Sequence, residues 1–228
     1  MRIENIEDGF MEIIENGVIE KVVCKYDGIC TVYFYDKPPK ELNVGCSSYN
    51  SQYGIPVSVD GSKLFVGSWE KGLGGKEKGL LAYDIASGSL LWRLAEGKIR
   101  SIFVYSNYLI VLKAGASIMK LNIDSGVVLE QIKSSAIEHL FDLGFPYALV
   151  DAIAGKLSVV DVEEMLIVRK YGSQIVNPSN CLSVLIQDAA LHGEALTIYG
   201  VEDYPDKNYQ LSGPQKFERV IDKNFNAL

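Results

Sequence analysis

The chain has 228 residues, 48% of them hydrophobic, and 22 Lys and Arg against 29 Asp and Glu, a net charge of −7. That balance speaks against a dominant phosphate-binding surface, because affinity for nucleic acid rests largely on Lys and Arg. The length allows one domain with a proper core or two small ones, of which one closed domain is the simpler, and no stretch reaches the roughly 18 uncharged apolar residues of a membrane span.

Residues 10–15 and 18–24 flank Asn16-Gly17, a dipeptide suited to a hairpin turn that needs positive φ at both residues. A helix over residues 3–23 competes, but Gly9, Gly17 and the β-branched second half weigh against it. Asp27-Gly28 makes the next turn, residues 29–36 a strand, Pro38-Pro39 a loop and residues 42–46 an outer strand. Strands follow at 55–59 and 64–69, then the polar, glycine-rich insert Glu70 to Gly79, then strands at 80–85 and 90–94. Further groups of four fall at residues 99–132 and 137–169. Two strands at 181–187 and 195–201 come next, then a polar loop over residues 202–209 and a last strand between 210 and 221. Most of these are continuous apolar runs rather than alternations, as expected of strands buried on both faces.

The pattern repeats. Asp84, Asn122, Asp161 and Gly200 are taken as equivalent positions, giving steps of 38, 39 and 39 residues, and residues 31–36 form an upstream copy. A period of about 40 residues built from short strands marks a β-propeller with one four-stranded blade per repeat. The expectation is all-β: a single small β-propeller over residues 1–228, of about five blades, at residues 10–46, 55–95, 98–132, 137–170 and 175–221.

Ala82-x-Asp84-x-x-Ser87-Gly88-x-x-x-Trp92 resembles the Ala-x-Asp-x-x-Thr-Gly-x-x-x-Trp motif of quinoprotein-type propeller repeats, with Ser for Thr. The resemblance implies that Trp92 docks between neighbouring blades. Glu130 stands where the next repeat would carry Trp, and the Ser-Gly turn is lost in the two repeats after that. The resemblance carries over no cofactor or calcium site.

Chemistry is sparse. His139 and His192 are the two histidines, neither with His, Cys or paired carboxylates at ligand spacing, so no metal is expected. There is no G-x-S-x-G elbow, and Gly72-Leu-Gly-Gly-Lys76 lacks phosphate-loop spacing. Asp60, Asp142, Asp151 and Asp188 lie near strand ends, where a propeller hydrolase would pair carboxylates, but turn aspartates are common there. Cys24, Cys30, Cys46 and Cys181 read as buried thiols; a Cys24 to Cys30 disulfide across a hairpin is conceivable but disfavoured in a reducing compartment. The first ten residues lack the apolar run of a signal peptide, so the expected location is the cytoplasm.

A binding surface suits the sequence better than catalysis. Aromatic and acidic residues cluster in long loops: Tyr49 and Tyr53; Trp69 and Glu70; and Glu202, Asp203, Tyr204, Asp206 and Tyr209. The expected activity is non-enzymatic binding of another protein, a basic one such as a nuclease toxin, with no cofactor, nucleic acid or membrane. The alternatives are a hydrolase acting on a sugar or lactone, a shortened relative of the quinoprotein dehydrogenases, and a scaffold.

Overall fold

A computed structural model describes residues 2–6, 9–14, 17–25, 28–44, 60–69, 77–94, 99–113, 117–133, 137–152, 156–171, 183–193, 195–203 and 214–221. The chain divides into two compact units, Met1–Lys133 and Ser134–Leu228. Each is built from antiparallel sheets whose strands are consecutive in sequence.

The first unit holds three sheets. One runs β1 (Arg2–Ile6), β2 (Gly9–Ile13), β3 (Ile19–Lys25), β4 (Ile29–Phe34) and β5 (Lys40–Asn43). Strand over residues 2–6 is not anticipated by the sequence pattern, and neither it nor β2 is the competing helix; Gly9 opens β2 opposite Lys25 and also pairs Ile6. The second sheet contains β6 (Lys63–Trp69), β7 (Glu77–Asp84) and β8 (Leu90–Leu94). Its expected first strand, residues 55–59, lies outside the described residues. The β6–β7 ladder reaches Trp69 opposite Glu77, so the last residues of the supposed insert are strand rather than loop. The third sheet is β9 (Ile99–Tyr105), β10 (Tyr108–Lys113), β11 (Ser117–Asn122) and β12 (Val128–Lys133), in sequence order.

In the second unit, β13 (Ile137–Asp142), β14 (Tyr147–Ala152), β15 (Lys156–Asp161) and β16 (Leu166–Tyr171) form one sheet. A three-stranded sheet of β17 (Ser183–His192), β18 (Ala195–Asp203) and β19 (Gln215–Ile221) follows.

The apolar runs have the cause expected of them. In the second sheet Leu64, Val66, Leu81 and Tyr83 face a core shared with the first sheet, while Phe65, Leu80 and Ala82 face one shared with the third. Successive strand residues point to opposite faces, so a sheet covered on both sides needs apolar residues at every position. In the second unit, Leu149, Leu157 and Val159 pack on Ile186, Leu196 and Ile198 in the same manner.

Four turns or registers settle the repeat. Asp84 Oδ1 accepts the Ser87 amide and hydroxyl, both at 2.6 Å, and Gly88 turns the chain at φ +77°. Asn122 Oδ1 accepts the same two donors of Ser125, each at 2.9 Å, before Gly126 at φ +69°. Asp161 Oδ1 accepts the Glu163 and Glu164 amides at 2.9 Å, and Met165 stands at φ +50° where the other two turns have glycine. Side-chain capping two and three residues ahead is a local, sequence-encoded turn, so the geometry survives the loss of Ser-Gly. The fourth equivalence does not hold. Gly200 lies inside β18 opposite Phe217, and the residue ending that strand, as Asp84, Asn122 and Asp161 end theirs, is Asp203. Gly200 is required by packing instead, since a Cβ there would lie 2.3 Å from the Leu185 carbonyl oxygen and 2.7 Å from the Phe217 ring.

Cys24 and Cys30 oppose one another on β3 and β4, with Cα atoms 4.2 Å apart, and form a disulfide. This corrects the expectation of free thiols for that pair: the hairpin turn at Gly28 puts them in direct register, which sequence spacing alone does not reveal. Cys46 and Cys181 lie outside the described residues.

Candidate functional site

Three outer strands share one irregularity. In β8, Tyr83 opposes Leu90 and Ala82 opposes Trp92, which leaves Leu91 as an extra residue. The same one-residue bulge falls at Leu129 in β12 and at Val168 in β16. A one-residue insertion resets the alternation of side chains between faces. Each outer strand therefore begins with exposed aliphatics (Leu90 and Leu91; Val128 and Leu129; Leu166, Ile167 and Val168) and then presents the residue of the motif's Trp position to the ladder.

At that position Trp92 does what the family resemblance implies. Its ring lies against Gly126 on the next sheet, where an added Cβ would meet it at 2.5 Å, and its Nε1 donates to the Ile123 carbonyl at 3.1 Å. Phe65 flanks it, ring centroids 5.9 Å apart. Two further polar contacts cross the seams of the first unit: Tyr83 Oη donates to the Val44 carbonyl at 3.1 Å, and Lys63 Nζ sits 3.1 Å from the Asp124 carboxylate. The cross-strand partners change with the motif. Trp92 opposes small Ala82, Glu130 opposes Lys120, and Arg169 opposes Val159. Buried Lys120 has its Nζ 3.7 Å from Glu130 and 4.5 Å from the centre of the Tyr108 ring, so the lost aromatic is replaced by an ion pair with a cation–π contact.

The carboxylates weighed for hydrolysis are mostly structural. Asp60 caps Ser62 at 2.8 and 2.9 Å, Asp142 accepts the Gly144 amide at 2.8 Å, and exposed Asp188 accepts the Ala189 amide at 2.8 Å. Asp151 differs: it opposes His139 across the β13–β14 ladder, with Nδ1 to Oδ2 at 3.5 Å and both side chains largely buried. His192, at the end of β17, is exposed. Asp84, half-buried, is held below the ordinary carboxylate range, chiefly by the Ser87 hydroxyl and then by the Ser87 amide. Among the described residues no group of three His, Cys, Asp or Glu side chains could hold a metal ion, and no helix is long and apolar enough to cross a membrane.

Of the loop residues read as partner-binding, Tyr49, Tyr53, Glu70, Tyr204, Asp206 and Tyr209 lie outside the described residues, as does the glycine-rich stretch 72–76. Trp69 ends β6, where the sequence puts it. Glu202 and Asp203 are not loop residues but the last two of β18. Glu202 is only 5% exposed and forms an ion pair with Arg219, whose guanidinium lies 4.3 Å from the centre of the Phe217 ring. Glu202 opposes Gln215 and Ile198 opposes Arg219, so both charges share one face of the sheet, with Phe217 stacked between them over Gly200. A buried, paired carboxylate braces the sheet and is a poor exposed contact. The sequence signal for this arrangement is the period-2 spacing of Phe217 and Arg219, and it is visible only once the pairing register is known.

No family model matches the chain, and no curated protein matches it either. Solved structures do. BamB from Moraxella catarrhalis is 15% identical, with a TM-score of 0.59 over 94% of this chain and 60% of its own. The dihydro-heme d1 dehydrogenase NirN is 12% identical, with a TM-score of 0.61 over 91% of this chain and 46% of its own. The β-propeller domain of Myceliophteria thermophila Swd1 is 11% identical, with a TM-score of 0.57, covering 95% and 73% of the two chains. The fold is that of a β-propeller. The chain spans less than two thirds of the length of the first two of these proteins.

Proposed function

We propose that this chain is a non-enzymatic, protein-binding β-propeller. The observation that carries the reading is two runs of exposed aliphatics at the outer strands of the first unit, Leu90 and Leu91 in one and Val127, Val128 and Leu129 in the other, all 38–57% exposed. Aliphatics clustered in this way mark interaction surfaces more often than scattered single ones do. The net charge of −7 selects a basic protein as partner, because an acidic surface steers a basic one and raises the on-rate. The sharper form of the proposal is an inhibitor or immunity protein that neutralises a basic toxin such as a nuclease.

The test is a tagged pull-down from the source organism at low and moderate salt, run beside a Leu91→Asp/Leu129→Asp variant. A single stoichiometric basic protein, released as salt rises and absent with the variant, supports the proposal. Equal capture by the variant removes this surface from it.

A second reading, hydrolysis of a sugar or lactone, draws on the His139–Asp151 pair as an acid–base couple. Turnover in a substrate screen that disappears in Asp151→Asn would favour it.

The cytoplasmic proposal meets one physical constraint. A disulfide persists in an oxidising compartment or in the cytosol of a hyperthermophile, and is rare in other reducing cytosols. Non-reducing alkylation and mass spectrometry of the native protein decide between them, with linked Cys24 and Cys30 expected outside a reducing compartment.

A further inference from the structure

Among the described residues strand β16 ends its sheet with β15 as its neighbour, and its first three residues are all solvent-exposed: Leu166 at 46%, Ile167 at 40% and Val168 at 47%. Three successive exposed aliphatics leave both faces of an edge strand bare, and such an edge is a template for another strand. Edges that stay single usually carry charge along their length. In this molecule β19 does so, with exposed Lys216 and Glu218.

The charges around β16 are segregated instead. Exposed Glu163 and Glu164 lie in the turn before it, and Arg169 and exposed Lys170 lie at its far end. Arg169 is anchored by Tyr171, its Nη1 donating to the hydroxyl at 3.3 Å. The stretch Glu163-Glu164-Met165-Leu166-Ile167-Val168-Arg169-Lys170 is therefore antisymmetric in charge about its Leu166–Ile167 centre.

We infer that β16 pairs antiparallel with β16 of a second copy of this chain, about a two-fold axis between Leu166 and Ile167. In that register Leu166 meets the partner's Ile167 and Met165 meets the partner's Val168. The acidic turn of each copy, Glu163 and Glu164, lies over Lys170 and Arg169 of the other. A two-fold interface must be self-complementary, each residue meeting its counterpart reciprocally, and this sequence has that property in both its apolar centre and its charged ends. The other two bulged outer strands do not: β8 carries Arg93 with no acidic residue, and in β12 a two-fold about the strand centre would set Lys133 against Val128 and Glu130 against Gln131. The bulge at Val168 limits the regular ladder to the residues beside the axis. The contact is small against a permanent interface, so the dimer depends on concentration. This surface is in the second unit and is independent of the aliphatic surface proposed above for a foreign partner.

The experiment is sedimentation equilibrium on the full chain across a wide concentration range, with circular dichroism to confirm that each variant folds. Wild type self-associates to a dimer. Ile167→Lys, a solvent-facing change, abolishes association. Glu163→Lys alone and Lys170→Glu alone each set like charges against one another at both ends and weaken the dimer about tenfold. An equimolar mixture of the two single variants restores association as a heterodimer, because each 163–170 contact is again between opposite charges. A wild type that stays monomeric throughout overturns the proposal. So does a dimer indifferent to Ile167→Lys, or a mixture no stronger than its components. Association of folded Ile167→Lys only with an unrelated protein would assign the edge to a foreign partner and equally refute self-pairing.

Discussion

The second and fourth sheets carry the same bulge in the same register, yet they use the next residue in different ways. In the second sheet that residue is Trp92, opposite small Ala82, and it crosses to the neighbouring turn and fills the space over Gly126. In the fourth it is Arg169, opposite Val159, and its Nη1 donates to the Tyr171 hydroxyl on the same strand. The third lies between them, with Glu130 satisfied by buried Lys120. The comparison teaches that the turn and bulge are the constant part of the repeat. The side chain placed by them is free to be a packing anchor in one sheet and a surface charge in another.

Trp92→Ala should produce the largest effect, a loss of about 3 kcal/mol in denaturant unfolding. Arg169→Ala should cost below about 1 kcal/mol, and equal losses would end the distinction between anchor and surface residue. Gly126→Ala comes next at about 2 kcal/mol, combining the clash with Trp92 and the positive φ. In a Trp92→Ala background that cost should fall to about 1 kcal/mol, the backbone share alone. A double-mutant cycle on Lys120 and Glu130 should return a coupling of about 0.5 kcal/mol, since Glu130 is half exposed. Met165→Gly, at φ +50°, should stabilise by about 0.5 kcal/mol, because relief of the left-handed backbone slightly exceeds the entropy cost of glycine.

The smallest effect concerns pH. The folded protein holds the Asp84 carboxyl below its ordinary value, so its contribution is present above about pH 4 and is lost as the pH falls through the depressed value. Asp84→Asn should keep the turn, as Asn122 keeps the equivalent one, while flattening that acid limb. Melting temperatures of the two proteins between neutral and strongly acidic pH check this. A steeper acid loss in the variant would contradict it.

The candidate site was legible only in part. Residues 80–92 announce a strand, a capped turn and a second strand, and Trp92 docks as its motif implies. The exposed aliphatics were present as doublets after each turn, but a doublet inside a strand looks like any buried strand until the bulge that exposes it is seen. Glu202 and Asp203 were misplaced because a polar residue at a strand end reads as loop; Arg219, seventeen positions on, makes the buried site for Glu202 tolerable.

What the sequence determined by itself was the all-β class, the repeat of turns at Asp84, Asn122 and Asp161, and most strand positions. These depend on interactions within a few residues, side-chain capping of a turn and apolar content on a pleated strand, which the local order of residues specifies. The tertiary structure decided the pairing of Cys24 with Cys30, the strand at residues 2–6, the left-handed Met165, the mid-strand place of Gly200, and which aliphatics are left in solvent. Each depends on register, and register is set by which strand lies opposite and where a bulge shifts it by one residue, a through-space relation that no local pattern contains.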